Sequence, residues 1–206
     1  MEKLPFLLEM GCEELPARFV MPLALALAEG IKLGLTQCGI QHDDAQIFAT
    51  PRRIAVLFSE IDTQQPAQTQ IRKGPKLAQA YRDGVPTPAA LGFAKSCGVD
   101  FEQIGQDESH LIYQSHTSGQ PTALLLSEIF QQTLQRMDSI VPKRRRWGVG
   151  EATFVRPGLW LRALLGNQIV PIAAFGLTAD RQTFGHRFHA PQAIVLDQAM
   201  HYETAL

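Results

Sequence analysis

Residues 159–170, LWLRALLGNQIV, contain two apolar runs joined by Gly166 and Asn167. A glycine–asparagine pair between two such runs is a good two-residue turn for a β-hairpin. The sequence therefore predicts antiparallel strands over 159–165 and 168–175, and a sheet that is at least partly antiparallel.

Short apolar runs elsewhere in the chain predict further strands. The run at 54–58, IAVLF, is continuously apolar and rich in β-branched and aromatic residues, as in a strand covered on both faces. The other predicted strands lie at 5–10, 47–50, 111–113 and 184–188.

Helical periodicity is clearest between Phe19 and Leu35, where apolar side chains recur every four residues and predict a helix with one face in the core. Pro16 fits the first turn of this helix, whereas Pro22 would either lie inside it or mark a later start. The other predicted helices lie at 76–82, 87–97 and 122–137, and a last one opens at about residue 195.

Strands and helices alternate irregularly along the chain, without the strict repeat of a doubly wound fold. We therefore expect an α+β fold, with mixed or antiparallel sheets and packed helices. Ten residues with helical or strand periodicity are predicted to form its core: Phe19, Leu23, Leu27, Ile54, Val56, Phe58, Phe130, Leu134, Trp160 and Leu164.

Composition excludes several classes of protein. The chain has 206 residues, of which 45% are hydrophobic and 19% charged, so it is not a disordered chain. Its length suits one large domain or two small ones. The net charge of −1 excludes a polycation that coats nucleic acid, although a local basic site remains compatible with it.

The cysteines and the apolar segments indicate a cytoplasmic protein without a membrane anchor. Cys12, Cys38 and Cys97 form no CxxC pair, so reduced thiols in a cytosolic protein are the simplest interpretation. The N-terminal apolar stretch is too short for a signal peptide. The longest other apolar stretch, 20–28, is about half the length that a membrane span needs.

Candidate catalytic and metal-binding groups have simpler structural explanations. His186 and His189 are three residues apart on a predicted strand, where they would point to opposite faces, so we expect structural histidines and no metal site. Cys12 lies beside two acids, which raise the pKa of a thiol. No P-loop, nucleophile elbow or dinucleotide fingerprint is present in the sequence, and we expect no catalytic residues.

A pair of acids, Glu13 and Glu14, is expected at the start of the first long helix, where the helix dipole stabilises negative charge. Arg52 and Arg53 follow the strand at 47–50 and are possible partners for these acids. A charge-paired corner is a better interpretation of this set than a catalytic dyad.

Four consecutive cations followed by an aromatic residue, at 143–147, form the sharpest local signal. Such a run can contact phosphates and stack on a base or a sugar, or it can be a solvated loop. Because these cations stand together in a chain of net charge −1, we predict that Lys143, Arg144, Arg145 and Arg146 bind RNA.

Several segments, taken in order, resemble the beta subunit of the bacterial heterotetrameric glycyl-tRNA synthetase. Any one of these motifs is weak, whereas the ordered set covers nearly the whole chain and is specific. The motifs are LEMGCEELP at 8–16, ATPRRIAV at 49–56, KGP at 73–75, GFAKSCGV at 92–99, PK at 142–143, RWG at 146–148, FVRP at 154–157 and GHRF at 185–188.

The resemblance implies a division of labour. In that family a separate alpha subunit activates glycine with ATP and Mg²⁺, while the beta subunit supports tRNA binding and completes a heterotetramer of two alpha and two beta subunits. The chain would then bind no cofactor itself. Its partners would be the alpha subunit and tRNA(Gly).

The resemblance also implies a domain organisation. Residues 1–206 would form the N-terminal region of the beta subunit, similar to the B3/B4 module of phenylalanyl-tRNA synthetase, with a small inserted subdomain at about 63–140. Family members are several times longer, so their helical and anticodon-binding regions would lie downstream. Two alternatives stay open: a hydrolytic module that deacylates mischarged tRNA, and a structural platform without RNA contact.

Overall fold

The structure, a computed structural model, describes residues 1–82, 84–141, 145–146 and 153–206, with the backbone alone at 68, 116, 117, 145, 146 and 153. The chain divides into two compact units. Unit 1 comprises Met1–Gln65 and Gln120–Leu206, and unit 2 is Pro66–Gly119. The fold is α+β with antiparallel sheets, as predicted.

The strands and helices are numbered in chain order. The strands are β1 Lys3–Cys12, β2 Gln46–Thr50, β3 Arg53–Asp62, β4 Gln68–Lys76, β5 Tyr81–Arg82, β6 Val85–Pro86, β7 Gly105–Gln106, β8 His110–Thr117, β9 Arg145–Arg146, β10 Thr153–Phe154, β11 Gly158–Leu165, β12 Gln168–Ile169, β13 Ala173–Ala174, β14 Leu177–Thr178, β15 Gln182–Phe184 and β16 Ala193–Val195. The α-helices are α1 Ala17–Gln37, α2 Leu77–Ala80, α3 Pro88–Cys97, α4 Thr122–Met137 and α5 Tyr202–Ala205.

Unit 1 is built on a five-stranded antiparallel sheet in the order β12-β11-β1-β3-β2. Its central strand β1 places Leu8 opposite Ala163 on β11 and Val56 on β3. The predicted hairpin joins β11 and β12 through Gly166, whose φ of 60° suits glycine. The second strand of this hairpin is shorter than predicted, because pairing ends at Ile169.

The first face of the sheet packs against α1 and α4 and forms the main core. Four of the five residues that predict α1, from Leu23 to Leu35, are fully buried, and Phe19 packs against them. The bounds of α4 are those predicted. A Cβ on Gly30 of α1 would lie 2.4 Å from the Thr133 side chain of α4, so the glycine permits close helix contact.

Pro22 lies inside α1, and the helix starts earlier, at Ala17. A later start at Pro22 is therefore wrong: Pro22 is in the second turn, where the surrounding packing of Leu23 and Leu27 holds the helix. By length and composition α1 is also sufficient to cross a membrane, although its stretch at 20–28 is short. Half of its apolar window is buried within the chain, and both core helices of soluble proteins and N-terminal signal sequences meet the same criterion.

The second face of the sheet is covered by the C-terminal segment. Leu7, Leu57 and Leu164 pack there with Leu196 and Tyr202. The helix predicted over 195–206 starts later than expected, because β16 extends to 195 and is followed by a 3-10 helix over Ala199–His201 and the four-residue α5.

Unit 2 contains a three-stranded antiparallel sheet in the order β4-β8-β7, with α3 beside it. The Thr87 hydroxyl accepts a hydrogen bond from the Ala90 backbone at the start of α3, and the helix ends at Gly98 with a φ of 73°. Two of the motifs meet here, since a Cβ on Gly74 would lie 2.6 Å from the Phe93 ring. The inserted subdomain at about 63–140 stays a prediction; α4, within that range, belongs to unit 1.

Candidate functional site

The predicted RNA-binding run falls largely outside the described residues. Lys143 and Arg144 lie there entirely, and for Arg145 and Arg146 the structure describes the backbone of β9. This strand pairs with β10, with Arg146 opposite Thr153 and Arg145 opposite Phe154. RNA binding by the run therefore stays a prediction.

A cleft of about 850 Å³ opens on the second face of the sheet in unit 1. Three of the motifs, far apart in sequence, converge on it: the one at 8–16 supplies Glu14, the one at 49–56 supplies Arg52 and Arg53, and the one at 185–188 forms a wall. The lining residues are Glu14, Ile47, Phe48, Ala49, Thr50, Pro51, Arg52, Arg53, Trp160, Gly185, His186, Arg187, Phe188, Tyr202, Glu203 and Leu206.

Backbone hydrogen bonds fix the segment after β1 at the edge of this cleft. Cys12 donates its N–H to the Arg52 carbonyl at 2.9 Å, and Leu15 donates to the Pro51 carbonyl at 2.6 Å. On the other side the Arg156 Nε donates to the Glu14 carbonyl at 3.0 Å. The irregular segment 13–16 is thus held by two other motifs, which position its two carboxylates although the segment is not helical.

The Trp160 ring lies over the sheet because Gly11 on the neighbouring strand has no side chain. A Cβ on Gly11 would be 1.9 Å from the Trp160 ring. The indole Nε1–H donates to Glu9 Oε1 at 2.6 Å, and the Arg53 guanidinium lies 5.9 Å from the ring centroid. Gly11, which pairs with both Trp160 and Arg53, therefore makes room for an aromatic wall of the cleft.

Beneath the cleft lies a buried charge cluster of Glu9, Arg53 and Arg162. Glu9 and Arg162 are fully buried, and Arg162 Nη1 lies 3.6 Å from Glu9 Oε2. Arg53 Nη1 lies 3.9 Å from Glu9 Oε1, which also accepts the Thr183 hydroxyl at 2.6 Å. Buried charges are costly unless they are paired, so each member of the cluster depends on the others.

The remaining contacts of the cluster tie it to the C-terminal segment. Arg162 Nη2 donates to the Arg181 carbonyl at 2.8 Å, and Arg53 Nη2 donates to the Phe184 carbonyl. Burial lowers the pKa of the Arg162 guanidinium, and Glu9 opposes that shift. Burial, together with Glu9, raises the pKa of the Tyr202 phenol, which therefore stays protonated.

The mouth of the cleft carries a second, exposed set of charges. Arg52 Nη1 and Arg187 Nη1 each lie 3.8 Å from the same oxygen, Glu14 Oε1. The pairing of Glu14 with Arg52 confirms the predicted charge-paired corner. Arg53 does not belong to that corner, because its side chain turns to Glu9. The prediction that Glu13 and Glu14 open the first helix is wrong, since α1 has no acid in its first turn.

His186 acts as an acceptor within a turn. The strand predicted around it ends at Phe184, and His186 Nδ1 accepts the backbone N–H groups of Phe188 and His189 at 3.3 and 3.4 Å. Its ring centroid lies 4.7 Å from that of His189. Across the described ranges, no three His, Cys, Asp or Glu side chains are placed to hold a metal ion.

Cys12 lies on the first face of the sheet, away from the cleft, and is buried. Burial raises the pKa of its thiol to about 12, with Arg52 lowering it and Glu13 raising it further. Burial also raises the pKa of the Cys38 thiol. Since the thiolate is the reactive form, these two side chains are poor nucleophiles at neutral pH.

Sequence reasoning missed the role of Glu9, Arg162 and Tyr202. It predicted a largely buried Trp160, and the side chain is part-buried but also lines the cleft, which was not predicted. The sequence did contain a signal for Glu9 and Arg162. Glu9 stands within the apolar run at 5–10 and Arg162 within that at 159–165, and a charge inside a buried strand requires a partner.

Known proteins resemble the chain over nearly its whole length. The family model for the glycyl-tRNA synthetase beta subunit matches residues 6–206. Similar proteins include the glycine–tRNA ligase beta subunit of Pseudomonas putida (strain W619), 43% identical over 197 residues, and that of Chromohalobacter salexigens, 44% identical over 210 residues. The alignments cover 96% and 100% of this chain.

The same alignments cover 29% and 30% of these two relatives, so the chain spans under a third of the length of the curated relatives it matches. The beta subunit of Azotobacter vinelandii is 42% identical over 198 residues, with a coverage of 96% of this chain and 29% of that relative. The match extends over both units and all the motifs that build the cleft. The chain belongs to the glycyl-tRNA synthetase beta subunit family.

Proposed function

We propose that this chain is the N-terminal portion of a glycine–tRNA ligase beta subunit, and that it supports tRNA binding and subunit assembly. The observation that carries the proposal is the match of the family model over residues 6–206, since it includes the three motifs that converge on the cleft. The assembled enzyme would charge tRNA(Gly) with glycine at the expense of ATP.

In this proposal the chemistry takes place on the partner alpha subunit, which uses ATP and Mg²⁺, in a cytoplasmic heterotetramer of two alpha and two beta subunits. The high pKa of the buried Cys12 thiol argues against a thiolate nucleophile at this residue. The purified chain should show no glycine-dependent pyrophosphate exchange. Exchange above background would contradict the proposal.

The assembly role is tested by reconstitution. The alpha subunit is mixed with a full-length beta subunit, with one lacking residues 1–206, and with the latter plus this chain in trans. We expect glycylation of tRNA(Gly) to be lost without residues 1–206 and to return at least partly when the chain is added. Full activity without residues 1–206 would contradict the proposal.

Within this function the basic run at 143–146 is the proposed RNA contact. Binding to phosphates releases counterions, so removing one cation that touches a phosphate lowers the slope of log affinity against log salt by roughly 0.7–0.9. Replacing Arg144, Arg145 and Arg146 by Ala should reduce that slope by about 2 in the assembled enzyme, equally for cognate and non-cognate tRNA. An unchanged slope in a folded variant would assign the run to a solvated loop.

The finer fold assignment, a module similar to B3/B4 of phenylalanyl-tRNA synthetase, is part of the proposal. A five-stranded antiparallel sheet with helices on one face and a cleft on the other supports it. Superposition of an experimental structure on that module tests it, and a different strand order would overturn it.

The cleft favours one alternative, a deacylase that hydrolyses mischarged tRNA, because polar groups converge there: Arg53, His186 and Glu14. Release of the amino acid from mischarged tRNA(Gly) by the chain would support this alternative. The matched variant is His186→Gln, whose amide can still accept within the turn. Equal release by both forms would exclude His186 as a base.

A further inference from the structure

The mouth of the cleft is arranged to take an anionic oxygen. Arg52 and Arg187 come from different segments, and both direct a guanidinium nitrogen at Glu14 Oε1, each from 3.8 Å. That distance is longer than a charge-assisted hydrogen bond of about 2.8 Å. Glu14 is 66% exposed, so its carboxylate can swing into solvent and be replaced by another anion.

An exposed aromatic ring adjoins these cations. Phe188 is 72% exposed, the most exposed large apolar side chain of the described residues. The Arg187 guanidinium lies 4.4 Å from the centroid of its ring. An apolar ring held in water beside a guanidinium is suited to stack on a flat, conjugated ligand.

The size and charge of the cleft agree with such a ligand. Its volume of about 850 Å³ lies within the usual range of ligand sites. Three arginines line it, against the two acids Glu14 and Glu203. Arg53 is paired with Glu9 beneath the floor, so Arg52 and Arg187 are the two cations open to a ligand. Glu9 also accepts the indole N–H of Trp160 and so positions the floor from below.

We propose that this cleft binds a nucleotide, with the phosphate between Arg52 and Arg187 in the place of the Glu14 carboxylate and the base against Phe188. The nucleotide is either a free mononucleotide or the single-stranded end of an RNA. The second source rests on the function proposed above, whereas the binding chemistry is the same for both.

Binding is measured on the purified chain with a single-stranded oligoribonucleotide of about six nucleotides, within the usual site size of such proteins. Arg52→Gln with Arg187→Gln should weaken binding by about tenfold or more, because both charged donors to the phosphate are removed. Phe188→Leu, which keeps an apolar side chain but no ring, should weaken it by about tenfold. Wild-type affinity in either variant would overturn the proposal.

Glu14→Gln should change the affinity for the oligonucleotide in the opposite direction to the arginine and Phe188 variants. Removing the carboxylate that competes for both arginines should strengthen binding by about twofold to fivefold. Misfolding cannot produce such a gain. The matched control is Arg136→Gln, an exposed arginine of α4 that does not line the cleft, and it should leave the affinity unchanged. Weaker binding by Glu14→Gln, or an equal loss in the control, would overturn the proposal.

Small probes identify the source of the nucleotide. AMP that binds as tightly as the oligonucleotide indicates a free mononucleotide, and much weaker binding of AMP indicates an RNA end. Inorganic pyrophosphate that binds as tightly as both, with no effect of Phe188→Leu, would reveal a simple anion site and overturn the proposal.

The nucleotide site and the proposed function can be tested independently of each other. If the basic-run variant changes the salt slope of tRNA binding while the cleft variants bind the short probes normally, the nucleotide site is wrong and the tRNA role stands. If the cleft variants no longer bind the probes while residues 1–206 prove dispensable for glycylation, the nucleotide site stands and the proposed role of the chain falls.

Discussion

The two faces of the five-stranded sheet are formed by the same strands, yet they are stabilised in different ways. Along β1, Leu8 and Met10 point into the apolar core under α1 and α4, while Glu9 and Gly11 point to the other side. Apolar burial is non-directional and tolerates repacking. The buried charge cluster requires specific partners, so the second face depends on the identity of single residues and the first mainly on volume.

Removing one charge from the second face should give the largest difference in stability between the two faces. Glu9→Gln keeps an acceptor for Trp160 but leaves Arg162 buried without a counter-charge. Loss of one partner of a buried pair costs about 3–5 kcal/mol, and we expect that decrease in the free energy of unfolding in urea. Adding Arg162→Met to Glu9→Gln should recover most of the lost stability, because no unpaired Arg162 guanidinium is then buried and Gln still accepts from Trp160. A loss below about 1 kcal/mol would show that the cluster is not needed.

The corresponding change on the first face is Leu27→Ala. Leu27 is fully buried on α1, so its truncation should lower the free energy of unfolding by about 2–5 kcal/mol. Leu25 on the same helix is 48% exposed, and Leu25→Ala is the matched control, with an expected change within about 0.5 kcal/mol. Similar losses for both would mean that the exposed side of α1 is covered by something else.

A smaller loss of stability is expected at Gly11 of β1, where the missing side chain makes room for the Trp160 ring of the neighbouring strand β11. Gly11→Ala places a Cβ against the Trp160 ring and should cost about 1–3 kcal/mol in thermal or urea unfolding, because the ring must shift. In Gly92→Ala, in α3, the new Cβ meets nothing within 4 Å, and the variant should be neutral or stabilised by up to about 1 kcal/mol. Equal behaviour of the two variants would contradict the close packing over Gly11.

High pH provides a further comparison, since each face holds an acid with a strongly raised pKa: Cys12 on the first and Tyr202 on the second. Cys12 has a pKa of about 12 in the folded chain against 9.0 for a free thiol, so the folded state holds its proton more tightly. Stability therefore falls as pH rises above about 9, by up to about 1.4 kcal/mol per pH unit. Cys12→Ala should remove the contribution of the thiol to the slope of unfolding free energy against pH. Tyr202→Phe should remove the contribution of the phenol, which begins near pH 10. An unchanged slope in Cys12→Ala would show that the thiol titrates normally.

The first face was largely predictable from the sequence, because its determinants are local. The apolar periodicity of α4 indicates its bounds, and in unit 2 Thr87 and Gly98 delimit α3 through caps that act within a few residues. The hairpin turn at Gly166 is local as well. Each of these features depends on neighbours in the chain, which a single sequence displays directly.

Apart from its charge-paired corner at Glu14 and Arg52, the second face was not predictable, because it depends on strand register and long-range contacts. Glu9 meets Arg162 only because β1 pairs with β11 in one register, and its hydrogen bonds join it to Trp160 and Thr183, 151 and 174 residues away. A shift of one residue would turn Glu9 toward the apolar core. The charges inside the strands signalled that partners were needed, without showing which ones.

The central position of β1 also bears on how the chain acquires its structure. Its partner β3 is close in sequence, but β11 is about 150 residues away, so the loop-closure entropy of that pairing is high. Pro66–Gly119 is a continuous segment, so its contacts can form before β11 has left the ribosome. Until β11 arrives, Glu9 has Arg53 of β3 as a partner but lacks Arg162, and that edge of β1 is open to pairing with other chains. This strand of the nascent chain therefore needs protection from such pairing.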